Sequence, residues 1–235
     1  TGGSPTFPIA ITSDPASRTV KAGDRVSFVV ANSGTAPAYQ WRFNGTDLSD
    51  ATNSYYTLTS ADLTNNGSFS VVITNTVNAK TSAPAVLTVF ATNLQLFETN
   101  LIVVRVGDGA QTLSTSGNSV FLDQLTTNGA YINTVFIPDT GPSAFLESGP
   151  DVSGSVLTGT ALTRSLDKGF MTPAGYNVSL GNAPALQNTP AAAVPRAIVT
   201  IDSNGQISMP VADTSTAYST AHFRGAVTDG TNNFW

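Results

Sequence analysis

The sequence contains no cysteine, so no disulfide braces the fold and packing has to hold it alone. It has one histidine, His222, and two glutamates, Glu98 and Glu147, in 235 residues. A structural zinc site takes about four nitrogen, sulfur or carboxylate ligands, which a lone imidazole without thiols cannot supply. Charge is scarce as well. Asp, Glu, Lys and Arg together make up 11% of the chain, against about a quarter in ordinary soluble domains. The arginines (Arg18, Arg25, Arg42, Arg105, Arg164, Arg196, Arg224) are scattered singly, and the net charge is −5. Binding to a phosphate backbone is driven by a cluster of cations releasing counterions, so nucleic acid is excluded as a partner. No apolar run reaches the roughly 18–20 residues of a membrane helix, and no membrane span is expected. No signal peptide opens the chain; Thr1-Gly2-Gly3-Ser4-Pro5 reads as a linker or a processed end.

What is present points to strands. Hydrophobic residues at 40% are enough to bury a core, which argues against wholesale disorder. Thr and Val favour extended backbone, whereas the good helix formers Glu and Lys are few. The expected class is all-β, with a surface of Thr, Ser, Asn, Gly and Ala. Such a surface suits a protein that lives outside the cell or packs beside neighbours.

The first ninety or so residues alternate with the period of two that half-buried strands require. Arg25-Val26-Ser27-Phe28-Val29-Val30 follows a Gly23-Asp24 turn. Ala38-Tyr39-Gln40-Trp41-Arg42-Phe43 leads into Asn44-Gly45. Tyr55-Tyr56-Thr57-Leu58, Ser68-Phe69-Ser70-Val71-Val72-Ile73 and Ala85-Val86-Leu87-Thr88-Val89-Phe90 complete the set. The alternation puts Tyr39, Trp41 and Phe43 on one face, read as core, with Gln40 and Arg42 on the other. Tyr55 and Tyr56 must point opposite ways, so one of them is expected at the surface, where it could stack on a ligand such as a sugar.

Val20-x-x-Gly23-Asp24-x-Val26-x-Phe28, Tyr39-Gln40-Trp41, Asn65-Asn66-Gly67-Ser68-Phe69-x-Val71-x-x-x-Asn75 and Ala85-Val86-Leu87-Thr88-Val89 together resemble an immunoglobulin domain of the intermediate type, over residues 6–90. Many bacterial surface proteins carry such modules, and the cysteine-free chain fits a bacterial extracellular protein. The resemblance implies that Trp41 is the core tryptophan of strand C. Val30 and Val71 would stand where the family often has its two cysteines. Phe69 would occupy the tyrosine-corner position without the hydroxyl that makes the corner hydrogen bond. A first domain over residues 1–91 is therefore expected to be a β-sandwich.

Residues 92–235 have longer Gly, Ser and Thr-rich connections and internal echoes. Val120–Ile132 and Ala197–Ile207 each read as a strand, an Asn-Gly turn (Asn128-Gly129, Asn204-Gly205) and a returning strand, the pattern of a hairpin. Leu162–Phe170 and Phe223–Trp235 form a second pair. The pattern resembles blades of a bacterial extracellular β-propeller. About four blades are needed to close a ring, and this stretch supplies two or three. The expectation is an antiparallel β region like incomplete propeller blades, either a fragment or completed by another chain.

Candidate chemistry is thin. No serine sits in a Gly-x-Ser-x-Gly elbow. The glycosidase arrangement needs two acids about 5–10 Å apart in a cleft, whereas most aspartates here neighbour Gly, Asn or Ser, where they cap turns. Asp202-Ser203-Asn204-Gly205 and Asp229-Gly230-Thr231-Asn232 resemble the opening of a calcium loop, making Asp202, Asn204 and Asp229 weak calcium candidates. Val and Pro fill the ligand stretch before Asp213, which favours plain turns. No catalytic residue and no cofactor are expected; a structural calcium stays open. The reading is a non-catalytic structural or adhesive protein of the bacterial cell surface. Its partner is protein, either itself or a neighbouring surface protein, with assembly through β-edges into a fibre, sheath or surface layer. A glycan- or protein-binding module of a larger secreted protein is the alternative, and a fragment of a secreted enzyme with its active site elsewhere is the second.

Overall fold

The computed structural model describes residues 5–110, 112–149, 161–181, 185–219, 223, 225–231 and 233–234. The chain divides into two compact units, Thr1–Thr92 and Asn93–Trp235.

Unit 1 is an immunoglobulin-like β-sandwich. Its strands are β1 (Ala10–Ser13), β2 (Arg18–Lys21), β3 (Val26–Val29), β4 (Ala31–Ser33), β5 (Ala38–Phe43), β6 (Thr46–Asp47), β7 (Tyr55–Leu58), β8 (Gly67–Thr74), β9 (Ala79–Thr81) and β10 (Ala85–Phe90). One layer has the order β2-β10-β8-β5-β6, with β9 also on β8; the other holds the pairs β1-β4 and β3-β7. The first strand divides between layers: β1 pairs with β4, whereas β2, beyond Asp14-Pro15, crosses over and runs parallel to β10. The two-residue loop Asn44-Gly45 has both residues at positive φ (48° and 83°) and joins paired Phe43 and Thr46, the tight hairpin an Asn-Gly pair favours.

Period-two patterning fills the space between the layers. Along β8, Phe69, Val71 and Ile73 point inward, and along β10 Ala85, Leu87 and Val89 do. Trp41 lies opposite Val71 in register and is fully buried, its indole N–H donating to the Asn53 carbonyl at 2.9 Å. Phe28 stacks on Phe69 with ring centroids 4.5 Å apart. Val30 and Val71 are both buried members of this core.

Side-chain amides stitch the layers where neither a disulfide nor a tyrosine corner can. Asn78 exchanges two bonds with the buried Ile9 backbone, accepting from its N–H at 2.7 Å and donating to its carbonyl at 3.0 Å. Asn75 donates to the carbonyls of Phe7 and Thr35. At the corner where Phe69 has no hydroxyl, Asn66 accepts from Val89 N–H and donates to the carbonyls of Leu63 and Val89. A planar amide offers one donor edge and one acceptor edge, as a peptide group does, so it can close a bridge to a strand without charge.

Unit 2 is built from two antiparallel meanders. The first is β11 (Leu101–Val106), β12 (Val120–Leu125) and β13 (Tyr131–Ile137), in sequence order. The second is β14 (Thr163–Arg164), β15 (Phe170–Thr172), β16 (Ala174–Tyr176), β17 (Arg196–Asp202) and β18 (Ile207–Asp213). β15 and β16 pair with β17 in one continuous register interrupted at Pro173, whose carbonyl accepts from Val199 N–H. Proline has no N–H to give the ladder, which accounts for the break. β18 flanks β17 on its other side.

Val120, Leu122, Val135 and Ile137 from the first sheet share a core with Ala197, Val199 and Ile201 from the second. The outer face of β17 is buried too: Ile198 packs with Ala174 and Ala226. The antiparallel β region expected for residues 92–235 takes the form, among the described residues, of two meanders that share one core. The two Asn-Gly hairpins form, with a different turn from the one expected. At Thr126–Gly129 and at Asp202–Gly205 the first residue's carbonyl accepts from the glycine N–H, and only the glycine has positive φ. These are type I turns followed by a left-handed glycine, because Thr126 and Asp202 hold the turn with their own side chains.

Candidate functional site

The residues singled out from the sequence do not converge. Trp41, Val30, Val71 and Phe69 lie together in the core of unit 1. Tyr55 and Tyr56 are both half-buried, so neither is the exposed platform expected. Tyr56 is committed inward, its ring 5.9 Å from Phe69 and 6.4 Å from Trp41. All four residues of β7 are half-buried, so both of its faces are partly covered. His222, Arg224 and Trp235 lie outside the described residues.

The calcium candidates are occupied by their own turns. Asp202 Oδ1 accepts from the N–H groups of Asn204 and Gln206, and Asn204 is exposed. Asp229 accepts from Asn233 Nδ2 at 2.6 Å and from Thr231 N–H at 2.7 Å, which together hold its carboxyl down at about 2. The bond from Ser165 holds Asp167 below its ordinary range, as the bond from Ser215 does Asp213. A carboxylate satisfied this way by hydroxyls and N–H groups is a turn cap.

What the structure does bring together is an open side of unit 2. Between β11 and the β14–β15 hairpin runs a cleft of about 220 Å³, floored by Ile102, Leu162, Phe170 and Met171. Its rim is an ion pair, Arg164 Nη2 to Glu98 Oε1 at 2.9 Å, with the guanidinium also donating to the Lys168 carbonyl. The approach to β11 is held by a buried amide: Gln124 Oε1 accepts from Phe97 N–H at 2.6 Å, and Gln124 Nε2 donates to the Gln95 carbonyl. Leu96 N–H donates to the Ser203 carbonyl, and Leu96 itself is buried. With the backbone fixed on both sides of it, Phe97 is 51% exposed. Leu101 and Val103 follow at 50% and 46%.

β11 pairs with β12 along its whole length, and its other edge pairs with no described strand. The single charge on it is turned back over its own sheet. Arg105 makes a bidentate pair with Asp123 at 2.7 and 3.1 Å and lies 4.2 Å from the Phe121 ring centroid. Thr134 donates to the same carboxylate. The site therefore offers apolar surface, a neutral rim and a row of main-chain donors and acceptors. That is chemistry for holding an extended segment. The signal for it in the sequence is the run Leu101-Ile102-Val103-Val104, which does not alternate and so puts apolar side chains on both faces of an edge strand.

No family model matches the sequence, and no curated protein matches it. Solved structures resembling part of the chain are immunoglobulin repeats. The tandem Ig repeats of Dlar share 19% identity with a TM-score of 0.34, over 37% of this chain and 50% of that one. The N-terminal Ig1-2 module of the Drosophila receptor protein tyrosine phosphatase DLAR shares 13% at 0.37, over 55% and 97%. Duf (Kirre) D1 shares 15% at 0.32, over 35% and 96%. The match thus spans half the length of the first of these chains. The assignment of unit 1 rests on its own strand order, layer crossing and core.

Proposed function

We propose that this is a non-catalytic structural or adhesive part of an extracellular protein, in which unit 1 is a packed spacer and unit 2 the associating element. The observation that carries the reading is the β11 edge, with half-exposed Phe97, Leu101 and Val103 beside the open cleft. Unpaired main-chain groups flanked by apolar side chains recruit another strand unless proline, charge or brevity prevents it. A charge-poor, cysteine-free surface is compatible with close packing of copies outside the cell. The glycan-binding alternative has less support, because Tyr56 is taken up by the core. Sedimentation of the full chain over a wide concentration range tests the proposal. The expected result is a mass that rises above the monomer with concentration; a monomer throughout overturns it.

A further inference from the structure

We infer that the partner of the β11 edge is β11 of a second copy, joined antiparallel across a twofold axis through Val103. This rests on the reading of unit 2 as the associating element and names what it associates with.

The other sheet ends carry features that block pairing or are too short for it. β2 carries Arg18 and Lys21, β6 and β14 have two residues each, and β18 has Pro210 at its middle. β13 is buried from Asn133 to Ile137, β1, β3 and β7 are four residues long, and β4, β9 and β16 are three. Six residues without proline, with their one cation tied to Asp123, leave β11, among the described residues, without the devices that normally block edge pairing.

Register favours a self-pairing. Residues directly opposite in an antiparallel pair share a sheet face, so a twofold pairing of β11 must place a residue against itself or against one an even number of positions away. With Val103 on the axis, Val103 meets its own copy and Leu101 meets the aliphatic stem of Arg105, which covers both half-exposed side chains. On the inner face Ile102 meets Val104. Both already pack at the margin of the shared core, and Ile102 lines the cleft. The partner's Val104 then lies over the open end of that core, and two three-stranded sheets become one of six. Placing Val104 on the axis instead leaves Leu101 uncovered.

Charge does not oppose the pairing. Residues 93–106 carry one acid and one base, Glu98 and Arg105, and each is already paired, with Arg164 and Asp123. Two copies of this edge therefore approach without a net field, although the chain as a whole carries −5.

The chain has no cysteine, so single-cysteine variants report the geometry cleanly. In the Val103-centred register, opposite Cβ atoms sit about 4.5–5.5 Å apart, within small adjustment of disulfide reach. Position 101 is then four residues from its own copy, about 13 Å away. Under mild oxidation V103C should give a covalent dimer while L101C, of equal exposure and on the same strand, and V86C, exposed on unit 1, give none. V103K, at an exposed position, should keep the strand content and near-ultraviolet signature of the folded wild type and shift the protein to monomer. If V103C links no better than L101C or V86C, or V103K leaves the mass unchanged, the twofold is wrong. In that case, a wild type that still self-associates preserves the broader reading, whereas a wild-type monomer removes both.

Discussion

Asn78 is the residue whose replacement best tests how the disulfide-free sandwich is held. Its amide closes a two-bond bridge to the backbone of Ile9, which is 1% exposed. Asn78→Ala leaves that N–H and carbonyl with no side-chain partner next to the core. Each orphaned group costs about 1–3 kcal/mol, and half-buried Asn78 admits some water, so the sum should fall near 2–3 kcal/mol. For a unit of this size that is a fall of about 10–20 °C in Tm. The assay is urea and thermal unfolding followed by Trp41 fluorescence in a Trp235→Phe background. Asn78→Asp sharpens the test. The carboxylate can still accept from Ile9 N–H but turns a bare oxygen on the Ile9 carbonyl, so it should be destabilised at neutral pH. Protonation restores a donor in the same position, and the variant should recover toward the wild type measured at the same acid pH. An alanine variant within about 0.5 kcal/mol of wild type, or an aspartate variant with no acid recovery, refutes the bridge.

Burial pushes the carboxyl of Asp24 up to about 7, outweighing the bond from Lys21 N–H and the charge of Lys21. Between its ordinary value and about 7 the folded chain therefore holds a proton that the unfolded chain has released. Stability should accordingly fall as pH rises through that window, by at most about 1.4 kcal/mol per pH unit, and level off above it. Asp24→Asn should flatten that slope in denaturant titrations across pH; an unchanged slope rejects Asp24 as its source. The two left-handed hairpin glycines make a matched comparison. A Cβ at Gly129 meets open space, so Gly129→Ala should cost only the positive-φ strain, about 1 kcal/mol. At Gly205 it would run into the Leu94 carbonyl oxygen, so Gly205→Ala should cost distinctly more in thermal unfolding. Equal losses would mean the Leu94 approach is not held.

The sandwich of unit 1 was legible because its alternation is strict where one face is buried: Phe69, Val71 and Ile73 on β8, and Trp41 between two half-buried aromatics on β5. The hairpins of unit 2 were legible from Asn128-Gly129 and Asn204-Gly205. Their turn type was not, because it is decided one step upstream by Thr126 and Asp202. The packing of the two meanders on one core could not be read locally, since β17 is buried on both faces and shows no alternation at all. The cleft was hidden for the same reason: it is lined by residues about sixty to a hundred positions apart, from Ile102 to Met171 and Ile201. The stitches by Asn66, Asn75 and Asn78 escaped because an asparagine near a turn ordinarily caps that turn. These three reach strands or termini 23 to 69 residues away.

Those asparagines and the open β11 edge have a common origin in the poverty of charge. A chain with few Lys, Arg, Asp and Glu must satisfy its buried backbone with neutral groups. Gln124, Asn118 and Asn177 do in unit 2 what Asn78 does in unit 1, each donating to backbone carbonyls of segments distant in sequence or across a loop. Neutral amides bind backbone well because they copy it, but for that reason they do not repel an incoming strand as a lysine would. With so few charges, edges in such a chain are closed mostly by proline, brevity or burial, and among the described strands β11 is the one sheet end of six residues or more that shows neither proline nor burial. Guarding β11 would have needed a free cation, and the one it has, Arg105, is spent on Asp123 and Phe121. Freeing it by Asp123→Asn should therefore loosen edge pairing without altering β11 itself. A self-association unaffected by that change would place the contact elsewhere.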